Sequence, residues 1–135
     1  MITVQTTVRA PIELVWECFT TSDHIKKWNA ASDDWHTTNA IVDLRAGGAF
    51  RYRMEAKDGS VGFDFSGVWV TVEPTNSLEQ RLDDGRIVRV SFQVTDEGVS
   101  VTEEFDAEDE NSEDLQRAGW QMILESFKRY VETKV

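Results

Sequence analysis

Glu103 stands where its side-chain type is unexpected. In the run from Val99 to Phe105, the residues Val99, Val101, Glu103 and Phe105 fall on one face of a strand, and three of the four are apolar. A lone carboxylate on such a face is costly to bury. It needs an arginine, a hydroxyl or water beside it, or it keeps its proton at a raised pKa. A frayed, wet strand end or a bulge would spare it the burial. Four readings stay open: an exposed group, a paired structural group, a ligand contact, or an acid–base group. Asp64, between Phe63 and Phe65, reads as the outward residue of its own strand.

Other chemistries find less support. Asp33-Asp34-Trp35-His36 is the nearest approach to a metal-ligand cluster, but it lacks a recognised ligand spacing. His36 reads instead as a loop residue near a cavity mouth. The chain has no G-x-S-x-G nucleophile elbow. Cys18 falls near the apolar stripe of a helix and reads as a small buried hydrophobe. Gly47-Gly48 is followed by neither a lysine nor a helix signal, so it reads as a turn and not a phosphate loop. No catalytic residue, metal or cofactor is assigned.

Large rings are the remaining hint. Trp28, Trp35, Phe50, Tyr52, Phe63, Phe65, Trp69, Phe92, Trp120 and Phe127 are many for 135 residues. As core filling they need no ligand. Rings are also big and rigid, and a curved sheet lined by them can leave a pocket.

The elements that must position these groups follow from the hydrophobic periods. Ile2 to Val8 alternates as a strand. Ala10-Pro11 switches the period, with Pro11 suited to the first helical position. Ile12, Val15, Trp16 and Phe19 then recur at helical spacing. Ser22 is placed to cap a second short helix through Asp23–Lys27. An extended stretch runs from Trp35 toward Val42 and Leu44. Strands follow at Phe50–Met54, Gly62–Val72, Leu78–Leu82, Ile87–Val94 and Val99–Phe105, with turn signals at Asp58-Gly59, Asp84-Gly85 and Asp96-Glu97-Gly98. Val88, Val90, Phe92 and Val94 share one strand face.

The chain closes on a helix from Ser112 to about Thr133 with an unusually broad apolar side. Leu115, Gly119, Trp120, Met122, Ile123, Leu124, Phe127, Tyr130 and Val131 fall within roughly half its circumference at ~100° per residue. Asn111 or Ser112 caps its start, and Gly119 suits close approach to a sheet. Strands joined by short turns form a meander, and an apolar sheet face needs a cover. The terminal helix is expected in the concavity of the sheet.

Composition bounds the rest. At 135 residues, residues 1–135 read as one domain, long enough for a core without disulfides. The net charge of −11 argues against nucleic acid and anionic membranes as partners. Eight carboxylates and no base lie between Glu103 and Asp114; they read as a solvated segment, or as a docking patch for a basic partner. A single cysteine fits a reducing cytosol, so a cytoplasmic location is expected. The opening MITVQTTVRAP shows no signal-peptide pattern, and no apolar run approaches a membrane span.

The order of strand, helix pair, meander and long helix resembles the helix-grip, START-like superfamily, an α+β fold. ITVQTTVRAPIELVWECFT, HIKKWN, LRAGGAFRYRM, GVWVTVEP, VTEEFD and GWQMILESFKRYVE are similar to the Activator of Hsp90 ATPase homologue 1-like group within it. The resemblance implies a hydrophobic cavity between sheet and last helix, and no single activity. The residues expected to contact a ligand there are Trp28, Trp35, His36, Phe50, Tyr52, Met54, Phe65, Trp69, Phe92, Glu103, Trp120 and Leu124. The leading expectation is a binder of a small hydrophobic or amphipathic molecule, monomeric or homodimeric. The second, implied by the resemblance, is a partner of an Hsp90-type chaperone ATPase. The third is a cavity enzyme of cyclase or hydrolase type using Glu103, Tyr52 or His36.

Overall fold

Alternation in the first residues makes β1 (Ile2–Val8), with Ile2, Val4, Thr6 and Val8 all buried. The computed structural model describes residues 1–135. Two short helices follow, α1 (Ile12–Thr20) and α2 (Ser22–Trp28), with extended Thr21 between them. Pro11 lies one residue before α1, at the cap, and Ser22 is already helical; both sit one place from their expected roles. The meander comprises β2 (Trp35–Val42), β3 (Ala49–Ala56), β4 (Gly62–Glu73), β5 (Ser77–Leu82), β6 (Ile87–Thr95) and β7 (Gly98–Phe105). The chain closes with α3 (Glu113–Glu132), whose first turn is capped by the Ser112 hydroxyl accepting from the Leu115 amide at 3.1 Å.

All seven strands are antiparallel in one curled sheet of order β1-β7-β6-β5-β4-β3-β2. The register slips between Thr37 and Asn39 and between Trp69 and Thr71, local irregularities of the kind that bend a strand. At the start of β7, Gly98 has φ 137°, and a Cβ there would meet the Val8 carbonyl oxygen at 2.3 Å. Only glycine lets β7 begin this close to the end of β1.

The two sheet edges are covered by helices, which blunts their tendency to pair with other chains. At the β1 edge, α3 supplies polar groups to free backbone: the Gln121 amide donates to the Gln5 carbonyl at 3.0 Å, and the Lys128 ammonium donates to the Thr7 carbonyl. The Arg9 amide donates to the Glu132 carboxylate at 2.9 Å. At the β2 edge, Asn29 at the end of α2 exchanges hydrogen bonds with Thr37: its amide donates at 3.1 Å and its carbonyl accepts at 2.6 Å.

Inside the curl, Phe127 of α3 meets Phe19 of α1 and Trp28 of α2 edge-to-face, at ring distances of 5.3 and 4.8 Å. Phe19 in turn meets Phe92 of β6 at 5.4 Å. The inward stripe of α3 is Gln116, Trp120, Ile123, Leu124, Phe127 and Val131, a regular helical spacing in which Trp120 and Ile123 are half-buried. This is narrower than the expected arc. Leu115 is 61% exposed and Met122 50% exposed, because they lie on the flanks of that stripe. Gln116 takes the inner place instead, since its amide organises the preceding loop: it accepts from the Glu108 amide and donates to the Glu108 and Asn111 carbonyls. A Cβ on Gly119 would meet nothing within 4 Å, so close approach is not its role. Val94 also faces out, at the far end of β6.

Truncating Phe127 to alanine empties the junction of three helices and should cost about 3–5 kcal/mol, whereas Met122→Ala should stay within about 0.5 kcal/mol. Denaturant unfolding of the two variants measures the difference. Equal losses would contradict the observed rotation of α3.

Candidate functional site

The ring cluster does not fill the whole concavity. Beyond it lies a cavity of about 220 Å³. Its apolar wall is made by Phe19 and Trp28 from the helix pair, Tyr52 and Met54 of β3, Phe63 and Phe65 of β4, and Trp120 and Ile123 of α3. Trp120 is held by stacking on Phe105 at 3.9 Å and by an edge contact with Phe65 at 5.9 Å. Trp28 is fixed by its indole N–H, which donates to the Cys18 carbonyl at 2.8 Å. These rings are therefore oriented by the fold and need no ligand to set them.

Four polar side chains complete the lining: Asn29, Gln80, Arg86 and Glu103. Asn29 and Arg86 are already engaged. Asn29 is paired with Thr37, and Arg86 holds Asp84 at 2.8 Å. The other two are not. Glu103 sits in an unbroken stretch of ladder, opposite Val4 on β1 and Val90 on β6, so neither a bulge nor a frayed end exposes it. It is only 9% exposed, and no side chain or backbone group hydrogen-bonds to its carboxyl. Burial alone pushes its pKa up from 4.5 to about 8. Gln80, 5% exposed, alternates inward between Leu78 and Leu82 and makes no side-chain hydrogen bond. The Tyr52 hydroxyl is the third free polar group. Burial, and then the nearby Glu103 charge, raise its pKa well above the usual tyrosine range. An acid, a phenol and an amide thus converge on a mostly aromatic cavity without partners of their own.

The twelve residues expected to contact a ligand separate into three groups. Trp28, Tyr52, Met54, Phe65, Glu103 and Trp120 line the cavity together. Phe50, Trp69, Phe92 and Leu124 lie in the solid core outside its lining. Trp69 is fully buried against Phe50, and its indole N–H has no hydrogen-bond partner. Trp35 and His36 belong to a separate polar pocket of about 200 Å³, ringed by Lys26, Lys27, Lys57 and Arg129. Of the lining residues outside that set, Gln80 carried a readable signal, since it interrupts Leu78 and Leu82 as Glu103 interrupts Val101 and Phe105. Asn29 and Arg86 carried none, because loop and turn residues reach the cavity only through the curl of the sheet.

No group of three or more His, Cys, Asp or Glu side chains is placed to hold a metal ion. Cys18 is free and buried. No helix is long and apolar enough to cross a membrane.

An antiparallel sheet curled around a long terminal helix, with a cavity between them, defines a helix-grip protein. The chain belongs to the family described as Activator of Hsp90 ATPase homolog 1-like protein, whose family model matches residues 9–132. The AHSA1-like protein of Aeromonas hydrophila, known from a solution structure, is 48% identical over 98% of this chain and 92% of its own, with a TM-score of 0.93. A Cytophaga hutchinsonii protein solved in solution is 47% identical over the same shares, with a TM-score of 0.84. A crystal structure from Nitrosomonas europaea shares the fold at 20% identity, covering 99% of this chain and 95% of that one, with a TM-score of 0.84. No curated protein matches the chain.

The Glu103 carboxyl dictates a pH signature. Its folded pKa lies above its unfolded one, so between about pH 5 and pH 8 the native state binds the extra proton. Stability should therefore fall as pH rises through that window, by roughly 1.4 kcal/mol per unit at most, and level off above about pH 8. Glu103→Gln should remove that part of the slope and be the more stable protein at pH 8. Chemical denaturation at pH 5.5 and 8 compares the two; parallel pH dependences would contradict the assignment.

Proposed function

We propose that the protein binds a small amphipathic molecule in the cavity between α3 and the sheet. The observation that carries this reading is a set of three polar side chains, Glu103, Tyr52 and Gln80, that face the aromatic cavity from largely buried residues with no protein hydrogen-bond partner. Polar groups inside a fold are normally hydrogen-bonded, and here only what occupies the cavity is left to pair with them. A fold selected only for stability would replace them with apolar residues, as Val101 and Phe105 do on either side of Glu103. A ligand with a polar end supplies the missing partners, and its apolar body covers the rings.

Size narrows the ligand. A cavity of about 150 Å³ accommodates benzene, so about 220 Å³ suits one ring with a short arm.

Titration with one-ring compounds, followed by NMR, tests the reading. The indole signals of Trp28 and Trp120 and the methyls of Ile123 should shift, while the Trp35 indole stays still. Ile123→Trp should fill the cavity and abolish the shifts while the protein remains folded. Absence of any shift with a broad set of such compounds at millimolar concentration would remove the proposal.

A further inference from the structure

The chemistry of the cavity says more about the polar end of the ligand. Its wall combines one carboxyl with the faces and edges of six aromatic rings. Aromatic faces attract cations, most strongly where water is excluded, and a carboxylate is the natural partner of an ammonium group. The one cationic side chain in the lining, Arg86, is tied to Asp84 at 2.8 Å. The whole protein carries a net charge of −11, which concentrates cations at its surface.

Resting on the small-molecule reading above, we propose that the ligand is a compact arylalkylamine, its ring among Phe19, Trp28, Phe65 and Trp120 and its ammonium group paired with the Glu103 carboxylate. Tyr52 and Gln80 complete the polar end, the phenol oxygen and the amide oxygen accepting the remaining N–H donors.

Binding then moves a proton. Free Glu103 is protonated near neutrality. An amine arrives as its ammonium ion, and the carboxyl proton leaves to solvent as the ion pair forms, so the ligand keeps its charge and one proton is released. No other group facing the cavity titrates in this range. Tyr52 is held neutral by burial, and Arg86 stays cationic. The neighbours of Glu103 on β1 and β6 are Val4 and Val90, and α3 presents Trp120 and Ile123.

Calorimetry with 2-phenylethylamine and its uncharged counterpart propylbenzene tests the proposal on the intact protein. In buffers of different ionisation enthalpy at pH 7, the amine should release roughly 0.9 proton and the hydrocarbon none. Amine affinity should rise about tenfold from pH 7 to pH 9, following ionisation of Glu103, while propylbenzene binding does not rise. Glu103→Gln should weaken the amine at least tenfold and abolish its pH dependence, while propylbenzene binding remains measurable. That last result also shows that the variant is folded. Propylbenzene binding with no preference for the amine and no proton release would overturn this proposal while sparing the small-molecule reading. Failure of both compounds to bind would also overturn the amine proposal, while the small-molecule reading falls only if the broad set of one-ring compounds fails as well.

Discussion

The edge-to-face meeting of Phe127 with Phe19 and Trp28 is the contact on which the rest of the structure depends. It joins all three helices at one point and, through Phe92, anchors them to the sheet. Where the cluster ends, the sheet continues to curl and α3 continues along it. The cavity of about 220 Å³ lies between them there. The cavity is thus a consequence of how a long helix meets a curled sheet, and its wall is built from rings that the core already holds in place.

Against that background, the polar residues in the wall are the informative ones. The outer face of the sheet carries its charges in exposed cross-strand pairs such as Arg53 with Asp64 and Arg89 with Glu79, each worth little. Glu103 is different because it occupies a position that the strand alternation reserves for apolar residues. No protein group hydrogen-bonds to its carboxyl, and burial raises its pKa, so the fold bears a cost of desolvation. The same holds, with smaller penalties, for Gln80 and Tyr52. Three polar groups without protein partners thus face one space.

Much of this was legible in the sequence because each element announces itself by a change of period. The switch at Pro11, the alternation of the strands and the return to helical spacing after Ser112 are enough to order the fold. Glu103 was visible for the same reason, as a break in an alternating pattern. The rotation of α3 was not, because a broad apolar arc leaves the buried stripe undetermined: Leu115 and Met122 face outward while Gln116 turns in. The fate of individual rings was not legible either. Phe50, Tyr52 and Met54 share one strand face, yet Phe50 packs on Trp69 in the core while Tyr52 and Met54 reach the cavity. That division depends on where along the strand the curl opens, and no local pattern encodes it.

The account turns on a single buried carboxyl, and its protonation is directly measurable. A carbon-detected NMR titration of the side-chain carboxyl of Glu103 in the ligand-free protein should show a midpoint near 8. A midpoint for Glu103 below about 5, in the ordinary glutamate range, would mean that the group is solvated or paired, and the central claim would be wrong.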